Sequence, residues 1–174
     1  MTTAAIAEQV KCVAELLATR RMKVATAESC TGGLVAGALT AVPGISAWLC
    51  GGVVVYRNET KHALLGIANE LLAEPGPVSE PVARLMAERV LAIIPEADVS
   101  IAITGHLGPQ APPDLDGVVW LAVGFHDGEQ GPCTLAERLQ LPPLSRLERQ
   151  SLAVEHALHF LASNLALFTA RRFG

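Results

Sequence analysis

The chain has 174 residues, 51% of them hydrophobic, 17% charged and only 4% aromatic, with a formal net charge of −4. This excludes a disordered or fibrous chain and calls for one aliphatic core of ordinary domain size. The acidic balance argues against nucleic-acid binding, and the apolar stretches are too short and too often interrupted for a signal peptide or a membrane span.

Residues 4–20 are predicted as a helix, with Ile6, Val10, Val13, Leu16 and Leu17 at helical spacing and charge on the opposite face. "KVATAE" (23–28) follows as a short strand. A second helix is expected over 31–42, stopped by Pro43-Gly44. "GGVVVY" (51–56) is β-branched and apolar, which suits a buried strand. Asn58 is expected to cap a short helix over 59–66 that ends at Gly66, and 69–76 reads as a further helical turn. Over 78–94 a longer helix is predicted, with Ser79 as its cap and Pro81 in its first turn. "ADVSIAIT" (97–104) is a strand entering Gly105, and 106–116 is a proline-rich loop without periodicity. A strand over 117–128, a turn at His126-Asp127-Gly128 and a returning strand over 132–142 make a hairpin. Residues 144–170 form the last helix, with Ser145 as a candidate cap. Strands and helices alternate and a hairpin follows, so the expected fold is α/β: a three-layer α/β/α sandwich around a mixed sheet, one domain over 1–174.

The cysteines Cys12, Cys30, Cys50 and Cys133 are scattered, with no CxxC pair. That argues against a zinc ribbon or a disulfide framework and for a reduced, cytoplasmic chain. His106 and His126 stand alone and read as structural. His156 and His159 share a helix but lack a third ligand, so no metal site is expected. Neither G-x-x-x-x-G-K-[ST] nor G-x-G-x-x-G occurs, and no cofactor is implied.

The chemistry candidates gather in two stretches. In "AESCTGG" (27–33), Ser29 lies where a strand gives way to a helix, and main-chain N–H groups at a helix start can hold an oxyanion or a phosphate. Position alone leaves Ser29 or Thr31 as a mere cap, and Cys30 as an alternative nucleophile. In "YRNETK" (56–61), Tyr56 is the sole tyrosine of the chain, at the end of a predicted strand. Lys61 follows within a short helix, and a lysine beside a serine acts as its base once burial lowers its pKa.

Together, A-E-S-C-T-G-G and Y-x-N-E-x-K, with "GPVSEPVARLMAERV" and "ADVSIAITG", resemble the CinA C-terminal-domain family, the PncC-type nicotinamide-nucleotide amidohydrolases. The resemblance runs from the first helix to the last. It implies a stand-alone α/β/α domain and one reaction, hydrolysis of the carboxamide of nicotinamide mononucleotide to nicotinic acid mononucleotide and ammonia. It also implies a metal-free Ser-Lys mechanism and a homodimer. By position, Ser29 is then the nucleophile, Lys61 its base, and Tyr56 a hydrogen-bonding partner in the pocket. The N–H groups of Thr31, Gly32 and Gly33 are expected to receive the oxyanion or place the substrate, and Thr104 and Gly105 to form another wall. Two stretches depart from the family pattern. The G-P-x-G-G loop and the K-P-V after it become "GPQAPPDLD" (108–116), whose added carboxylates Asp114 and Asp116 are expected to disfavour a phosphate nearby. G-D-R becomes "LSR" (144–146), which keeps Arg146 as a partner for a phosphate or carboxylate. The altered loop leaves open a substrate-shifted or a non-catalytic, ligand-binding member.

Overall fold

The computed structural model describes residues 4–126 and 132–168. Its elements are α1 (Ala4–Arg20), β1 (Val24–Glu28), α2 (Leu34–Leu39), β2 (Leu49–Val54), α3 (Asn58–Leu65), α4 (Asn69–Ala73), α5 (Glu80–Ile93), β3 (Val99–Gly105), β4 (Val118–His126), β5 (Pro132–Gln140) and α6 (Arg146–Leu167). The sheet order is β2-β1-β3-β4-β5. β1 runs parallel to both β2 and β3, whereas β3–β4 and β4–β5 are antiparallel, so the sheet is mixed as expected.

Strand alternation divides the core into two unequal halves. Val24, Ile101, Ile103, Leu121, Val123 and Phe125 point to one face, where α1, α2 and α6 cover them. The other face carries Ala25, Ala27, Ala102 and Ala122, and α5 lays Val82, Ala83, Met86 and Val90 onto it. Small side chains let that helix approach closely. The Ser100 hydroxyl donates to Ala87 O of α5 at 2.7 Å, and a Cβ on Gly124 would stand 2.8 Å from Ser100 Oγ. Among the described residues, no helix is long and apolar enough to cross a membrane.

Three expectations shift. Regular helix in α2 begins only at Leu34, because Gly32 (φ 64°) and Gly33 (φ 98°) adopt the left-handed conformation and form a turn first. β2 starts two residues earlier than the expected 51, since the parallel register sets Leu49 against Val24 and Val54 against Glu28. It is also a sheet edge rather than a buried strand, with Val54 47% exposed. Asn58 is the first residue of α3 and Arg57 its cap: the Thr60 hydroxyl accepts the Arg57 N–H at 3.1 Å. At α6 the expected cap is present, with Ser145 and Glu148 bonded reciprocally. The turn expected at 126–128 falls largely outside the described residues.

The carboxyl ends of β1 and β3 lie side by side, with Glu28 opposite Ile103. Crevices at the carboxyl ends of parallel strands are where ligands bind in α/β sheets.

Candidate active site

Ser29 directly follows β1, and its N–H donates to Ile103 O at 3.0 Å, which extends the strand pairing and fixes the serine backbone. On the other flank, Val55 N–H donates to Glu28 O at 2.8 Å, carrying the chain from β2 toward α3. The first turns of α3 then bring Lys61 inward. Lys61 is 1% exposed, and its Nζ lies 2.9 Å from Ser29 Oγ and 2.9 Å from Val55 O. Burial pushes the Lys61 amine down from 10.5 to about 8, against the pull of the nearby Cys30 thiol. An ammonium at this position donates to Ser29 Oγ; a neutral amine, still anchored on Val55 O, accepts the serine proton. Burial pushes the Cys30 thiol up to about 12, so the thiolate a cysteine nucleophile needs is not formed there near neutral pH.

Glu28, the last residue of β1, is 1% exposed, and its carboxylate fills the helix start. Oε2 accepts from Thr31 Oγ1 at 2.7 Å and from the N–H groups of Gly33 and Val35 at 3.0 Å; Oε1 accepts from Ala36 N–H at 2.9 Å. Gly32 N–H donates to Ser29 O at 3.1 Å. The expected cradle of Thr31, Gly32 and Gly33 is thereby corrected at the two glycines. None of the three lines the cavity beside Ser29, and the donors of both glycines are spent within the protein. In this turn, only the N–H groups of Cys30 and Thr31 have no oxygen acceptor among the described residues.

The cavity encloses about 180 Å³. Ser29 and Lys61 lie on its wall together with Thr104 and Gly105 at the end of β3, and Tyr56 and Arg146 stand at its mouth. Thr104 is held by its hydroxyl, which donates to Pro77 O at 2.8 Å. Gly105 has no room for a side chain, since a Cβ would come within 2.7 Å of Val119. Tyr56 is 56% exposed. Its hydroxyl accepts from Arg146 Nη2 at 2.8 Å, while Arg146 Nη1 donates to Gly108 O at 2.6 Å. Arg146 thus ties Tyr56 to the loop that roofs the cavity. Both acceptors are neutral, and Arg146 has no carboxylate partner among the described residues.

One of the two loop carboxylates has a different job from the one expected. Asp116 takes a bidentate pair from Arg149 at 2.7 and 2.8 Å, and that guanidinium also donates through Nε to Pro142 O at 2.9 Å. The Arg149 hydrogen bonds hold the Asp116 carboxyl below the usual range. Two arginines from the first turn of α6 therefore pin the loop at Gly108 and at Asp116. Asp116→Asn removes the charge that balances the buried Arg149. We expect the melting temperature to fall by several degrees in a thermal scan, and KM to rise more than kcat falls as the roof loosens.

Several wall residues escaped sequence reasoning, among them Pro77 and Val78 before α5 and the polar Asn58 and His106. Asn58 lines the cavity from the first turn of α3, though its place within Y-x-N-E-x-K already marked it. His106 lines it as well, and a lone histidine in a loop gave no hint of that.

A model of the CinA C-terminal domain matches residues 6–165. The chain belongs to the CinA C-terminal domain family. A CinA-like protein of Mycolicibacterium gilvum is 42% identical over 156 residues, 88% of this chain and 35% of that protein. A putative competence-damage inducible protein of Symbiobacterium thermophilum is 50% identical over 121 residues, 68% of this chain and 28% of that one. The chain thus spans about a third of the length of the curated relatives it matches. Among solved structures, the competence damage-inducible protein A of Klebsiella pneumoniae superposes with a TM-score of 0.87 at 33% identity, covering 94% of this chain and 99% of that one. The competence/damage inducible protein CihA of Agrobacterium tumefaciens gives 0.87 at 33% identity, covering 95% and 98%. The α/β architecture is therefore that of the CinA superfamily.

Proposed function

We propose that this CinA-family domain is an amidohydrolase that converts nicotinamide mononucleotide to nicotinic acid mononucleotide and ammonia. The observation that carries the reading is the buried 2.9 Å contact between Ser29 Oγ and Lys61 Nζ. A lysine poised to be neutral beside a serine hydroxyl has the arrangement of an activated nucleophile and its base. Ser29 Oγ attacks the carboxamide carbon while Lys61 takes its proton. The Lys61 ammonium then protonates the departing nitrogen, and the C–N bond breaks to release ammonia. Water attacks the Ser29 ester, again giving its proton to Lys61, which returns it to Ser29 Oγ as the acid leaves. The N–H groups of Cys30, which lines the cavity, and of Thr31 are the donors of this turn left for the oxyanion. A cavity of about 180 Å³ suits the carboxamide end of the substrate, and the phosphate reaches the mouth, where Arg146 exchanges Tyr56 for it.

Purified protein incubated with the nucleotide should release ammonia, with kcat/KM rising tenfold per pH unit and levelling near the Lys61 pKa of about 8. Release no greater than that of a Ser29→Ala control defeats the proposal. The roof of Pro109, Gln110 and Ala111 favours a second reading, a shifted substrate. In that case non-phosphorylated amides outperform the nucleotide in the same assay.

A further inference from the structure

His106 is a cavity residue that neither the Ser29–Lys61 pair nor the Arg146 contact uses. Its main chain is clamped: the N–H donates to Val118 O at 2.9 Å, and the carbonyl accepts from Gly117 N–H at 2.9 Å. Its half-buried imidazole has no hydrogen-bond partner among the described residues. A ring on a fixed backbone in a polar cavity is placed to take its partner from a ligand.

The surrounding charges decide which kind of partner. Lys61 faces it from α3 and Asp116 from the far end of the loop, where Arg149 of α6 holds that carboxylate; Arg146 of α6 stands at the mouth. Burial lowers the His106 pKa, Asp116 pulls it up and Lys61 pushes it down, with a net shift below the ordinary value. Near neutral pH the ring is therefore neutral and keeps one acceptor nitrogen. Of the other polar side chains lining the cavity, Lys61 and Arg146 are cationic donors, and Asn58 and Gln110 carry both donors and an acceptor; the His106 acceptor differs from those amides in that protonation removes it. A carboxamide brings a carbonyl that needs donors and an NH2 group that needs an acceptor.

We propose that His106 is a substrate-positioning residue whose neutral imidazole accepts a hydrogen bond from the NH2 group of the bound carboxamide. This rests on the amidohydrolase reading above. It has a consequence for product release: the carboxylate formed by hydrolysis has no N–H to offer, so His106 holds the amide and not the acid. A protonated ring reverses the preference, because it donates to a carboxylate and cannot accept from an amide.

The test is binding to the Ser29→Ala protein, which requires no turnover. Dissociation constants are measured for nicotinamide mononucleotide and nicotinic acid mononucleotide, and the His106 ring resonance is followed by NMR with these ligands and with nicotinamide and benzamide. Near neutral pH the amide should bind about tenfold more tightly than the acid, with the order reversed at a pH low enough for the ring resonance to report a protonated imidazole. His106→Gln, which keeps an acceptor but does not titrate, should retain the amide preference at both pH values. His106→Leu should abolish it. An amide preference unchanged in His106→Leu overturns the proposal, as does a His106 resonance that none of the four ligands moves. The ammonia assay on the wild-type protein separates the two failures. Ammonia release with an unresponsive His106 removes only the positioning role; a responsive His106 without ammonia release removes only the amidohydrolase.

Discussion

Lys61→Met is expected to lower ammonia release by at least about a thousandfold and, in the same protein, to raise the melting temperature near neutral pH. The activity loss follows from removing the base that accepts the Ser29 proton across 2.9 Å. The stability gain follows from linkage. The Lys61 amine has a pKa of about 8 in the fold and 10.5 as its ordinary value, so the folded state binds its proton less tightly. That shift destabilises the fold by about 3 kcal/mol wherever both states are protonated, below about pH 8. As pH rises from about 8 to about 10.5 the penalty disappears, because the unfolded chain loses its proton as well. Methionine has similar reach and no charge, but it leaves Ser29 Oγ and Val55 O without the Lys61 contact. That loss offsets part of the gain, so the net is about 1–2 kcal/mol, or about 3–6 °C. Thermal scans of both proteins near neutral pH and above about pH 10 check the argument. A variant that melts lower than wild type near neutral pH refutes it.

Glu28→Ala is expected to have the largest effect on stability, about 4 kcal/mol and a fall of about 10 °C in melting temperature. The substitution strands the Thr31 hydroxyl and the N–H groups of Gly33, Val35 and Ala36 at a buried helix start. Glu28→Gln is the finer probe. Its amide offers one oxygen where the carboxylate offers two, so it turns an NH2 group toward at least one of those donors. We expect a loss of about 2 kcal/mol and, because Ser29 is the next residue, a fall in kcat of about a hundredfold as the nucleophile shifts. Chemical denaturation with parallel ammonia assays measures both. A Glu28→Gln protein with wild-type stability excludes the capping role.

Glu28 also shows where sequence reasoning stops. Strand parity was legible: Val24, Thr26 and Glu28 share a face, and a helix was predicted to follow. The step missed is that a carboxylate on that face meets the helix start before any substrate does. The alternation of elements and the sequence spans of α1 and α6 follow from hydrophobic periodicity and caps, which are local. The edge position of β2 does not, because an apolar run reads alike in the middle and at the border of a sheet. Asp116 and Arg149 are 33 residues apart, and Tyr56 and Arg146 are 90 apart. Which charges pair at such distances depends on topology, so Asp116 read as an added negative charge when it is one half of a clamp. Ser29 and Lys61 came together through motif resemblance; their depth of burial and the anchoring of Lys61 on Val55 O did not.

The two arginines at the start of α6 also bear on how the protein is made. Synthesis runs from the N-terminus, and a domain folds as a unit once its chain is available. Ser29, Tyr56 and Lys61 belong to the early half, yet the roof closes only through Arg146 and Arg149, and Gln150 Nε2 reaches back to Cys30 O at 3.2 Å. The roof of the pocket thus depends on the last helix: without α6 the loop at Gly108 and at Asp116 has neither of its two arginine anchors.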